Sequence, residues 1–127
     1  MNADGARLWF IPDGYLPSPV GDDPAYVNHE AFCILNVTGE DAHLQIDFYF
    51  ADRDPIENVA VTVPAKRSAH IRLDDPEQIG GYRIPYDTPY GARIRSDVPI
   101  VVQYSRMYST THNISLMTTM AHAVSAD

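Results

Sequence analysis

The chain has 127 residues, 9 Lys or Arg against 17 Asp or Glu, a formal net charge of −8, and one cysteine, Cys33. That length fits a single domain over 1–127 that folds without staples. The acidic balance argues against a general nucleic-acid binder, which must neutralise phosphates, and one cysteine excludes an internal disulfide framework and suits a reducing, cytoplasmic compartment. No leader pattern of basic then apolar residues opens the chain, and no apolar run approaches the roughly 20 residues that cross a bilayer.

Period-2 patterning dominates, and no stretch carries a 3.6-residue stripe. Arg7 to Ile11 reads as a short strand stopped by Pro12-Asp13-Gly14. Residues 12–28 hold four prolines and two glycines, and read as a long loop or a pair of turns. Glu30 to Val37 is a strand, Thr38 to Asp41 a turn, and Asp41 to Phe50 a half-buried strand. In that strand Ala42, Leu44, Ile46, Phe48 and Phe50 share the core face, and His43, Gln45, Asp47 and Tyr49 the other. Val59 to Val63 and Arg67 to Leu73 are further strands about a tight turn. Asp74 to Thr88 is a second long loop, with room for one helical turn where Pro76 suits a first helical position. Tyr90 to Arg95 and Pro99 to Met107 read as two strands about a Ser96-Asp97 turn. A polar turn, Tyr108 to Asn113, leads to a final strand, Ile114 to Val124. The expected fold is all-β: a single-domain antiparallel β-sandwich, jelly-roll-like, of about eight strands.

The stretch "HEAFC", His29 to Cys33, resembles the start of a zinc-protease motif but lacks its second His. In a strand, residues four apart lie ~13 Å apart and cannot share an ion. The five histidines (His29, His43, His70, His112 and His122) are scattered, so no metal and no cofactor is expected. No Gly-x-Ser-x-Gly elbow or phosphate loop is present, and Cys33, inside an apolar run, reads as a small core residue. The chain is not expected to be an enzyme.

Polar decoration remains. Ser68, His70 and Arg72 share one strand face, which is either solvated or part of a site. Gln103 and Arg106 lie within a strand, where burial demands partners, since an unpaired buried polar group costs roughly 1–3 kcal/mol. Glu30 is the natural partner for Arg106; it either buttresses that arginine or offers a carboxylate to a ligand hydroxyl, with the buttress favoured. By parity Glu30 shares a face with Phe32, Ile34 and Asn36, while His29 lies opposite. Tyr15, Tyr26, Tyr82, Tyr86 and Tyr90 enrich the loops, as suits sugar stacking or a subunit interface.

Seven segments in order carry a resemblance: "GYLP" (14–17), "HEAFCILN" (29–36), "EDAH" (40–43), "VPAKR" (63–67), "HIRL" (70–73), "IPYDT" (84–88) and "SDVPIVVQYSR" (96–106). Through them the chain, from about Trp9 to His122, resembles the soluble transducers of bacterial sensory rhodopsin, the Anabaena type. The resemblance implies a sandwich fold, a cytoplasmic homotetramer, and signalling to a membrane rhodopsin-like receptor rather than catalysis. It also implies a superfamily of small-molecule binders, with sugar-like ligands the usual proposal. The polar motif positions carried over are His29, Glu30, Asn36, Asp41, His43, Arg67, His70, Arg72, Gln103 and Arg106. Together with Tyr15, six of these are the expected ligand-binding residues: Tyr15, Glu30, Asn36, His70, Arg72, Gln103 and Arg106. The chain departs from the family pattern in Asp74 to Arg83 and at Tyr86, where the transducer has His; both lie in a loop where ligand choice is set. Tyr104, Met107, Tyr108, Ile114, Met117 and Met120 are expected to bury between subunits.

Overall fold

A computed structural model describes residues 4–19, 28–109 and 113–125. Eight strands follow in chain order: β1 (Ala6–Tyr15), β2 (His29–Asn36), β3 (Ala42–Tyr49), β4 (Ile56–Val63), β5 (Arg67–Arg72), β6 (Pro89–Ser109), β7 (Ile114–Met120) and β8 (His122–Val124). All pair antiparallel. One sheet runs β4-β3-β6-β1-β8, and the other runs β5-β2-β6-β7. The sandwich expected from the period-2 pattern is therefore what forms. Tyr26 and His112 lie outside the described residues.

Strand β6 belongs to both sheets. Its first half pairs with β1 and β3, and its second half with β2 and β7. The expected turn at Ser96-Asp97 does not occur. Even-numbered residues from Tyr90 to Tyr104 stay buried without a break, so the pleat runs straight through. Ser96 pairs with Leu44 of β3, and its Oγ accepts the Val98 N–H at 3.4 Å. Asp97 accepts the His43 N–H at 2.8 Å. Pro99, which has no N–H to offer a ladder, falls between the last β3 partner, Ser96, and the first β2 partner, Val101.

Three other boundaries differ from expectation. Strand β1 continues through Pro12 to Tyr15, with a register irregularity between Ile11 and Gly14 absorbing the proline. Strand β4 begins at Ile56, across a bulge opposite Asp47. The final strand is divided at Ala121: β7 lies on the second sheet and β8 on the first. The single helical turn is present as a 3-10 helix, Pro76–Ile79, capped by Asp75 and closed by Gly80 at φ 68°.

The core fills the space between the sheets. Phe32 stacks on Phe48 at 6.1 Å between centroids, and Phe48 meets Tyr90 edge-on at 5.6 Å. Leu16, Leu73, Ile79 and Ile84 seal it from the loops. Burial of each such side chain contributes about 1.5–3 kcal/mol. Cys33 does not join this core, because β2 alternates: Phe32 and Ile34 point inward and Cys33 outward. It is half-buried on the outer face, with Sγ 3.3 Å from His70 Nδ1 and 3.8 Å from Ser105 Oγ.

Candidate ligand site and its supporting network

Glu30 enters the sandwich at the start of β2, on the face shared with Phe32, Ile34 and Asn36, and its side chain is fully buried. Both sheets supply its donors. The Tyr15 backbone N–H from β1 reaches Oε2 at 2.8 Å, and the Tyr90 hydroxyl from the first half of β6 reaches Oε1 at 2.7 Å. From the second half of β6, the Tyr104 hydroxyl and Arg106 Nε both donate to Oε2, the latter at 3.1 Å. Arg106 Nε also lies 2.9 Å from the Tyr104 oxygen. The carboxylate is thus tied into a network that joins β1, β2 and both halves of β6.

Burial pushes the Glu30 carboxyl above its usual range; the Tyr15 N–H, the Tyr90 hydroxyl and Arg106 offset only part of that. Burial, reinforced by Glu30, pushes the Tyr90 phenol well above its ordinary value. With four donors on two oxygens, Glu30 has little left to offer a ligand.

The outward side of this network is Arg106. Its guanidinium lies over the rings of Tyr15 and Tyr104, at 5.9 and 5.7 Å from their centroids, and its side chain is 25% exposed. Tyr15 also donates its hydroxyl to Asp87 Oδ1 at 3.3 Å, and the Ser18 N–H donates to the same oxygen at 3.1 Å. Asp87 sits at φ 56°, a left-handed position Asp tolerates better than most side chains.

Next to Arg106 is a cleft of about 320 Å³ between β1 and β7, lined by Phe10 to Asp13, Tyr104, Met117, Thr119 and His122 among others. Arg106 pairs across the ladder with Met117, which places it beside this cleft. Tyr104 belongs to both the cleft wall and the Glu30 network.

The seven expected ligand residues do not converge. Tyr15, Glu30 and Arg106 do. Asn36 lies six residues along β2, and is buried in a hairpin lock: its Nδ2 donates to the carbonyls of Glu40, Val63 and Pro64, and its Oδ1 accepts from Thr38. His70, Arg72 and Gln103 lie on the outer face of the second sheet. There Arg72 is held by Asp74 through two bonds of 2.7 Å. Tyr104, expected between subunits, is instead 1% exposed inside the sandwich. Tyr90 and Tyr104 were missed as network members, although both occupy even positions on β6 in phase with Arg106.

A second cluster also escaped the sequence reading. Asp47, expected on the open face, is fully buried under Arg93 Nη2 at 2.8 Å and Arg95 Nη2 at 3.1 Å. The bulge brings Asn58, at φ 60°, close enough to donate its N–H to Asp47 at 2.8 Å. Burial pushes the Asp47 carboxyl up, but the Asn58 N–H, Arg93 and Arg95 outweigh it and hold the group below its usual range.

Among the described residues no group of three or more His, Cys, Asp or Glu is arranged to hold a metal ion, and no helix is long and apolar enough to cross a membrane.

The family model for the Anabaena sensory rhodopsin transducer matches residues 4–123. The chain belongs to this family. The solved structure of the Anabaena sensory rhodopsin transducer is 40% identical, with a TM-score of 0.73, over 85% of this chain and 93% of that one. The crystal structure of Thermotoga maritima 1070 is 35% identical, with a TM-score of 0.86, over 98% of this chain and 100% of that one. A search of curated proteins finds no match. The family is one of transducers and is not known for catalysis.

Proposed function

We propose that the chain is a signalling and binding module that takes a small polar, carbohydrate-like ligand in the cleft beside Arg106 and relays its occupancy to a protein partner. The observation that carries this reading is the position of Tyr104. It is one of the residues lining the cleft, and its hydroxyl is bonded to the carboxylate that ties the two sheets together. A ligand pressing on Tyr104 acts directly on that tie. The opposite wall is β7, which is exposed along its whole length, including Leu116 at 76% and Met120 at 54%. An apolar strand of this kind suits a protein interface, so the relay surface adjoins the ligand. A homotetramer in the cytoplasm, built on β7, completes the proposal.

Thermal denaturation of the chain across a library of neutral and acidic sugars tests it. A ligand at 100 times its Kd adds ~2.7 kcal/mol of stability. No shift with any member of the library rejects the ligand.

The second reading is a ligand-independent transducer for a membrane photoreceptor. Family membership and the exposed face of β7 favour it. Saturable binding to a purified rhodopsin-type receptor, unaffected by every sugar in the library, selects this reading over the first.

A further inference from the structure

The geometry points to Arg106 as the anchor for a carboxylate on the ligand, so that the class bound is a small hydroxylated acid and not a neutral sugar. This inference rests on the ligand-binding reading above.

A guanidinium has five N–H donors, and here only Nε is used: it faces inward to Glu30 and the Tyr104 oxygen. Among the described residues the two Nη groups have no hydrogen-bond partner. The side chain is nevertheless fixed, by the Nε bonds and by the Tyr15 and Tyr104 rings. The open end is therefore a pre-oriented pair of donors, the shape that a planar carboxylate meets with two parallel bonds. A neutral hydroxyl fills one of those donors; a carboxylate fills both and adds charge.

The neighbouring cleft suits the rest of such a molecule. Its walls are mostly apolar, from Phe10, Ile11, Met117 and Met120, with Asp13, Thr119 and His122 interspersed. These polar groups accept or donate to hydroxyls. Asp13, which lines the cleft, and Asp87, bonded to the Tyr15 hydroxyl, also tell against a dianion, since both repel a second negative charge. One Arg, two nearby carboxylates and a roughly 320 Å³ space fit a single carboxylate on a hydroxylated body.

Isothermal titration of the full chain with D-glucuronate, D-glucose and inorganic phosphate, at one ionic strength, tests the assignment. Glucuronate is expected to bind about tenfold or more tightly than glucose, the range of a charge-assisted hydrogen bond. Arg106→Lys keeps a cation for Glu30 but loses the fork; it is expected to erase most of the preference for glucuronate over glucose. Guanidinium NMR of the unaltered chain gives a readout free of any folding defect: the Arg106 Nη resonances are expected to shift on saturation with glucuronate. Glucose or phosphate binding as tightly as glucuronate overturns the inference, as do Nη resonances that do not move. If neutral sugars bind and the acid gains nothing, the carboxylate anchor falls while the ligand-binding reading stands. If no sugar of either kind binds, both fall.

Discussion

The ring of Tyr90 occupies the space that a side chain at Gly14 would need: a Cβ there would fall within the ring. Gly14 lies where β1 regains register with β6, opposite Tyr90. The missing side chain lets the phenol pass over β1 and reach Glu30.

Gly14→Ala is therefore expected to displace Tyr90 and break its bond to Glu30. Overpacking of this kind costs about 1–3 kcal/mol, with the lost hydrogen bond in addition. Urea denaturation compared with Tyr90→Phe separates the two: if Gly14→Ala is no worse than Tyr90→Phe, the steric part of the argument is wrong.

Removing Glu30 leaves Arg106 without its counter-charge and two tyrosine hydroxyls without an acceptor. Glu30→Ala is expected to cost about 3–5 kcal/mol. The pH dependence has a definite sign. A carboxyl whose folded pKa is raised stabilises fully below its unfolded value, about 4.3, and that contribution fades as pH rises through the folded value. Glu30→Gln is expected to remove this decline. Denaturation midpoints measured upward from pH 4 check it, and identical slopes for the two proteins would count against a raised Glu30.

Asp47 predicts the opposite slope. Its folded pKa is lowered, so its contribution is present above the unfolded value, about 3.9, and is lost as pH falls through the folded one. Asp47→Asn is expected to be less stable than the parent at neutral pH, with the gap closing in strong acid. A gap that stays constant down to pH 2 rejects the ion-pair account.

Among the described residues the Asn36 side chain bonds to the Thr38–Glu40 turn, the end of β4 and Pro64. Asn36→Ala is expected to cost about 1–3 kcal/mol in stability, because several buried polar groups lose partners. Ligand affinity is expected to be unchanged, as measured by titration at a temperature where the variant is folded.

The exposed apolar residues of β7 test the assembly. Light scattering is expected to give the mass of four chains for the parent and a smaller mass for Leu116→Asp combined with Met120→Asp. A monomeric parent at micromolar concentration would remove the interface.

The strands were legible because one buried face imposes strict alternation, as in β3 and β5. The Glu30–Arg106 pair was legible because parity put Glu30 inward and burial obliges an arginine to find a carboxylate. What escaped depended on events that alternation does not encode. A bulge at Asn58 turned Asp47 from a surface residue into a covered one, and the handover at Pro99 made one strand of what reads as two. Tyr104 looked like interface material because a tyrosine in a late strand carries no mark of which residue its hydroxyl will meet. His70 and Arg72 share a face with each other but not with Glu30, since β5 presents them on the far side of the second sheet.

A strand shared by two sheets also limits how the sandwich deforms. Were the sheets joined only by loops, one could slide over the other. Here 21 residues of continuous backbone run from the Asp47 cluster on the first sheet to the Arg106 side of the second. Sliding would have to tear a ladder on one side of Pro99 or the other. Glu30 adds a second tie, since its carboxylate takes donors from β1 and from both halves of β6.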